Sequence, residues 1–201
     1  MKKNTKSNTQ NKTRKPANII YLRIIDFIAT GCYTGYLPKA PGTWGSLLAV
    51  AFFWLVIRYF DEKIIWYHLF IMPVLFIIGV FVTGEYNRLH GKHDAPEANF
   101  DEVVGQLIAL FPVAIIYSLD PKTYVRLDQI LMFFQITLVS FGLFRFFDIL
   151  KPLGIKRIEK LPGGWGVMLD DILAAVYAVL VFLLGTGYGL VLIMSPFIDY
   201  W

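Results

Sequence analysis

GGWGVMLDDILAAVYAVLVFLLGTGYGLVLIM, residues 163–194, contains an apolar run from Ile172 to Met194 that is entered through two adjacent carboxylates, Asp170 and Asp171. A bilayer hydrocarbon core takes about 20 apolar residues in helix to cross. This run meets that requirement, and it reads as a transmembrane helix with paired charges at its entrance. Moving outward, four more apolar segments precede it: Trp44–Tyr59, Ile64–Thr83, Val103–Leu119 and Ile130–Phe147. The second and fourth of the five are long enough to span. The first and third are short and need flanking aromatic or snorkelling residues to cross. A further stretch, Ile19–Thr30, is interrupted by Arg23 and Asp26 and is expected to lie as a short helix at the interface. The predicted fold class is therefore all-α, a multi-spanning membrane protein of about 4–5 embedded helices plus one interfacial helix.

Composition agrees. Of the 201 residues, 56% are hydrophobic, and mean hydropathy is +0.55. Soluble domains average nearer 45–50% apolar. Residues 1–18 are rich in Lys, Asn and Thr and are expected to form a disordered basic tail, leaving 19–201 as a single membrane-embedded domain. That leader runs into apolar helices, so it reads as a cytoplasmic retention signal and not as a nucleic-acid arm or a cleaved signal peptide. Gly31–Ser46, GCYTGYLPKAPGTWGS, is crowded with Gly and Pro and is expected to be a structured loop. Cys32 is the only cysteine, which excludes an intramolecular disulfide, and its side chain is expected to be half-buried packing.

If all five segments cross with the N-terminus inside, 15 of the 19 Lys and Arg fall on the inner side and only Arg58, Lys63, Lys122 and Arg126 on the outer. The positive-inside rule favours that orientation. It places the stretches 31–46, 84–102 and 148–171 on the cytoplasmic face.

Those stretches carry the chemistry. Asp101 and Glu102 begin the third segment, Asp148 ends the fourth between Arg145 and Lys151, and Asp170 and Asp171 begin the fifth. Spaced by three, Arg145, Asp148 and Lys151 are expected to form one polar stripe on a helix. Helix ends are ordinarily charged, but adjacent acidic pairs entering apolar runs are costly unless paired or bound to something. Carboxylates suit Mg2+, which bridges to phosphate, and Lys, Arg and glycine-loop amides suit the phosphate itself. A metal-assisted phosphate site follows. His90 and His93 read as solvated, His68 as packing, and Trp44 and Trp165 as interfacial anchors. Asp26 and Glu159 read as solvated or paired surface groups, and Gly163, Gly164 and Gly166 as a linker or a close approach to phosphate. Cys32 lacks the arginine of a cysteine-nucleophile phosphatase. No Asp-x-Asp pair, histidine-phosphatase motif or P-loop is present.

LPKAPGTWGSLLA (37–49), DEVVGQ (101–106), FRFFDILKP (144–152) and GGWGVMLDDILAA (163–175) resemble, in order and spacing, the four signature blocks of phosphatidylglycerophosphatase A. The resemblance implies a Mg2+-dependent phosphatase in the bacterial inner membrane, its site facing the cytoplasm, acting on a phospholipid substrate: phosphatidylglycerophosphate would yield phosphatidylglycerol and inorganic phosphate. It implies Mg2+ ligands Glu102, Asp148 and Asp171, with Asp101 or Asp170 as further ligands or as the base orienting water, and Lys39, Thr43, Arg145 and Lys151 on the phosphate oxygens. The approach HDAPEANF (93–100) departs from related chains and leaves the role of Asp94 and Glu97 open. Two rival readings are a small ion-coupled transporter, disfavoured because the acids lie at one interface and no repeat is evident, and a non-catalytic lipid-binding protein. Oligomeric state is left open.

Overall fold

The computed structural model describes residues 18–60, 63–92, 95–119, 127–152 and 154–198. Most of the expected tail, together with His93 and Asp94, lies outside these. Among the described residues the fold is all-helical. The elements are α1 (Ile19–Ala29), a 3-10 turn (Thr34–Tyr36), α2 (Pro41–Phe60), α3 (Ile64–His90), α4 (Phe100–Ala109), α5 (Phe111–Leu119), α6 (Leu127–Leu150), α7 (Ile155–Ile158) and α8 (Gly164–Ile198). Five stretches are long and apolar enough to cross a membrane: α2, α3, α4 with α5, α6 and α8.

Several boundaries differ from the sequence expectation, each for a local reason. The loop expected over 31–46 gives way to helix at Pro41. Proline's fixed φ suits a first helical turn, where its missing N–H has no partner to lose. The first segment thereby gains the length it lacked. The third segment is two helices, broken at Leu110. Pro112 follows the break and cannot donate back to Ile108. Side chains from neighbouring helices satisfy carbonyls near the break: His68 Nε2 lies 3.0 Å from Leu107 O, and Ser140 Oγ donates to Ala109 O at 2.6 Å. α3 continues past Thr83 to His90 and stops where Gly91 adopts a left-handed conformation, φ +64°. α8 begins at Gly164, so Gly164 and Gly166 are helical and form no linker.

α4 is the axis of the bundle, packed against α8, α2, α3 and α6. Glycines permit the closest approaches. A methyl group on Gly164 would run into the Val80 backbone carbonyl of α3, and one on Gly105 would sit 2.7 Å from the Phe144 ring of α6. α1 is tied to α3 through Tyr21, whose hydroxyl donates to Glu85 Oε1 at 2.8 Å, while Arg88 Nε donates to Glu85 Oε2 at 2.7 Å. Its exposed face carries Ile19, Ile20, Ile24 and Phe27, as a helix lying in an interface requires. Cys32 is exposed and left-handed, φ +56°, and not half-buried packing. The antiparallel crossings bring the α2, α4 and α8 N-termini and the α6 C-terminus to one end of the bundle.

Candidate metal and phosphate site

At that end α4 supplies Asp101 and Glu102 from its first turn, and α8 supplies Asp170 and Asp171 from its second. Because α8 starts at Gly164, the α8 acids stand about 9–10 Å along the helix from its first residue, at 1.5 Å per residue. They are past the turn where backbone amides would stabilise them, so capping does not account for them.

One carboxylate oxygen from each of Asp101, Glu102 and Asp171 lies within 4.8 Å of the others. Asp171 is 3% exposed and Asp101 8%. Asp101 Oδ1, Glu102 Oε2 and Asp171 Oδ2 are buried and accept no hydrogen bond. Buried carboxylate oxygens without partners are costly, and three converging carboxylates fit a hard divalent cation. Asp148 faces Asp171 from α6 and is paired with Arg145, Nη1 to Oδ2 at 2.5 Å. The structure thus brings Glu102 and Asp171 together with Asp101, while Asp148 is held by an arginine at the edge of the group.

Lys151 leaves the predicted stripe. α6 ends at Leu150, and Lys151 turns left-handed at φ +45°. Its ammonium reaches α8 instead, 2.6 Å from Asp170 Oδ2 and 3.5 Å from Glu159 Oε1. Burial opposes the charge on Lys151, but the hydrogen bond and field of Asp170, with Glu159 and Asp171 beyond, outweigh it and hold the ammonium above its ordinary range. Asp170 Oδ1 also accepts the backbone N–H of Asp171 at 3.0 Å. A continuous chain of polar contacts therefore runs from Glu159 through Lys151 and Asp170 to Asp171, Asp148 and Arg145. With Asp101 and Glu102 beside it, six carboxylates against two cations leave surplus negative charge at its centre.

The α2 N-terminus closes the site from the other side. A methyl on Gly42 would strike Glu102 Oε1 and lie 3.0 Å from Arg145 Nη1. Thr43 shares this first turn, its N–H bonded to Ala40 O at 3.0 Å. Lys39 and Ala40 are both left-handed, at φ +61° and +48°, and Lys39 stays exposed at the rim. Non-glycine residues in this region are strained and persist where their surroundings over-determine them. Here the fixing partner is Asn99, whose Nδ2 donates to Thr34 Oγ1 at 3.0 Å and to Pro41 O at 2.9 Å.

Two residues escaped the sequence reading. Gln106 is fully buried, with neither Oε1 nor Nε2 hydrogen-bonded. It lies one turn beyond Glu102 on the same face of α4, and that spacing inside DEVVGQ was the available signal. Asn99 left none, because its role depends on contacts 58 and 65 residues away in sequence. The remaining polar residues are structural. His90 Nδ1 lies 2.9 Å from Tyr86 O and its ring stacks on Tyr86 at 4.1 Å. Asp26 stands 3.9 Å from His90 Nε2. Glu97 is paired with Lys92 at 2.6 Å.

The family model for phosphatidylglycerophosphatase A matches residues 27–186. A Haemophilus influenzae protein named phosphatidylglycerophosphatase A is 36% identical over 174 residues, covering 86% of this chain and 94% of that protein. A Bacteroides thetaiotaomicron protein named a putative phosphatidylinositol-3-phosphatase is 32% identical over 153 residues, 75% of this chain and 86% of that one. The Escherichia coli phosphatidylglycerophosphatase A is 30% identical over 150 residues, 74% and 76% respectively. No solved structure matches. The chain belongs to the phosphatidylglycerophosphatase A family and is a membrane phosphatase.

Proposed function

We propose that this member of the phosphatidylglycerophosphatase A family hydrolyses the terminal phosphomonoester of phosphatidylglycerophosphate, giving phosphatidylglycerol and inorganic phosphate, with Mg2+ as cofactor. The carrying observation is the convergence of the Asp101, Glu102 and Asp171 carboxylates, each with a buried oxygen that accepts no hydrogen bond, at one end of a membrane bundle. Asp101, Glu102 and Asp171 would hold the ion. When bound, Mg2+ neutralises phosphate charge and lowers the pKa of a coordinated water. Asp148 holds Arg145 beside Glu102, so that the guanidinium can take a phosphate oxygen as charge develops in the transition state. Asp170 holds Lys151 in the same way on the α8 side, and Asp101, besides holding the ion, would orient the attacking water. Lys39 and Thr43 contribute at the rim, beside the α2 amides. Gln106 is assigned to the inner wall of the site, where its amide can donate or accept.

Positive-inside counting supports the cytoplasmic side of the bacterial cytoplasmic membrane for this end, with residues 19–201 acting as one domain. The lipid chains stay among the exposed apolar side chains while the head group meets the acids. A transporter is a poorer reading, since the carboxylates stop at one end of the bundle and do not continue across it.

The decisive assay measures phosphate release from synthetic phosphatidylglycerophosphate by purified protein, with Mg2+ and with chelator. Turnover only with the metal is expected. Equal turnover under both conditions would overturn the metal assignment, and preferential turnover of phosphatidylinositol 3-phosphate would move the substrate to the one in the Bacteroides relative's name.

A further inference from the structure

α7 is a single turn with an unusual amount of fixation. Ile155 is fully buried, and the carbonyls of Glu159 and Leu161 press so closely on α8 that a methyl on Gly166 would lie 2.5 and 2.7 Å from them. Glu159 is engaged by Lys151, which holds Asp170. The other charges of the segment, Lys156, Arg157 and Lys160, are exposed, and with Glu159 they line one open groove of about 600 Å3. The positive-inside rule explains cations on this side of a membrane. It does not explain why two of them stand on a turn locked against α8 and a third just after it, sharing one groove with the carboxylate that begins the site's polar chain.

We propose that this groove binds the internal phosphodiester of the substrate head group, while the acid cluster takes the terminal phosphomonoester. The inference rests on the lipid-phosphatase reading above. Both lipids in the relatives' names, phosphatidylglycerophosphate and a phosphatidylinositol phosphate, carry a diester next to the lipid and a monoester further out. A diester is a single negative charge with two free oxygens. Lys and Arg bind such oxygens by charge-assisted hydrogen bonds, and rim cations also raise the capture rate of an anionic ligand. Glu159 does not repel the diester with a free charge, because Lys151 is bound to it. The groove thereby makes Lys156, Arg157 and Lys160 specificity determinants, not catalytic residues. Phosphatidic acid, which has the monoester but no diester, cannot use it.

The test compares wild type with Lys156→Ala/Arg157→Ala and with the milder Lys160→Ala, in detergent micelles with Mg2+. First, binding of short-chain phosphatidylglycerol, which has only the diester, is measured by calorimetry. Second, kcat/KM is measured for phosphatidylglycerophosphate and for phosphatidic acid. The double variant is expected to bind phosphatidylglycerol about tenfold more weakly, as befits one or two lost charge-assisted contacts. It is also expected to lose about tenfold in kcat/KM on phosphatidylglycerophosphate, through KM, and less than twofold on phosphatidic acid. Lys160→Ala should show the same pattern at smaller amplitude. Unchanged phosphatidylglycerol binding, or an equal loss on both lipids, would overturn the groove assignment. A wild type that hydrolyses neither lipid but loses phosphatidylglycerol binding in the variants would sink the phosphatase reading and keep the diester site.

Discussion

α3 and α4 are consecutive in the chain and opposite in construction. α3 runs 27 residues and buries only 17% of its most apolar window; the α4–α5 span runs 19 residues and buries 67%. α3 turns Phe70, Ile77 and Phe81 outward. α4 carries Asp101, Glu102, Gln106 and Gly105, whose bare backbone lies against the Phe144 ring, and it faces other helices on nearly every side. In a membrane an apolar helix can be left facing lipid, whereas charged groups within a helix are costly unless neighbouring helices enclose and pair them. Chemistry therefore sits on the central helix, where neighbours can pair each charge.

The comparison breaks most sharply at the acids. Asp171→Asn should lower phosphate release by about a thousandfold or more, of order 4 kcal/mol in barrier, since a lost metal ligand removes transition-state charge stabilisation. Membrane insertion and helicity should be unchanged, and Glu102→Gln should behave alike. A variant retaining a tenth of wild-type turnover would refute the assignment.

Next in size is Gly42→Ala, on α2 but facing α4. The added methyl displaces Glu102 and crowds Arg145, so activity should fall roughly 10–100-fold while the thermal midpoint moves little. Gly164→Ala, which meets the Val80 backbone of α3, should do the reverse, costing about 1–3 kcal/mol of stability. Paired activity and unfolding assays separate the two effects.

Lys151→Met leaves Asp170 buried without its cation. The loss should be ~1–2 kcal/mol, reduced from the value for a fully buried pair by the solvent that reaches Lys151. Because folding raises the Lys151 pKa, its stabilisation is fully present below the unfolded lysine value of about 10.4 and is lost only as pH rises through the folded value. The difference in thermal midpoint between wild type and variant should thus persist as pH rises from 8 to 10. A gap that closes between pH 8 and pH 10 would contradict the pair.

The smallest effect belongs to the loop before α4. The hydrogen bond from Lys92 lowers the Glu97 pKa, so that contribution is present above the unfolded carboxylate value and lost as pH falls through the depressed one. Both side chains are well exposed, and Glu97→Gln should cost at most ~0.5 kcal/mol at pH 7. An unfolding curve at pH 7 shifted by more than a few degrees would show that the loop, and not α4 alone, organises the site.

Much of this was legible in the residues. Asp101, Glu102, Asp148, Asp170 and Asp171 were visible because carboxylates beside long apolar runs have few bland explanations. What could not be read were positions fixed by other helices. Pro41 and Gly164 look like loop punctuation in one dimension, yet each opens a long helix, because a first turn tolerates both and packing across the bundle stabilises the rest. Lys151 was placed on a stripe by its spacing, but the left-handed residue after α6 turned it to α8. Asn99 was invisible because its partners are distant in sequence.

The central place of α4 also bears on how the chain assembles as it is made. α2 and α3, which enclose one side of it, precede it in synthesis; α6 and α8, which enclose the other, follow. Asp101 and Glu102 thus reach the bilayer before Arg145 and Lys151 exist, and a charge carried into hydrocarbon alone is costly. Their position in the first turn lets them wait in the hydrated head-group layer. α8, translated after α4, brings Asp171 to Asp101 and Glu102 and so completes the acid cluster.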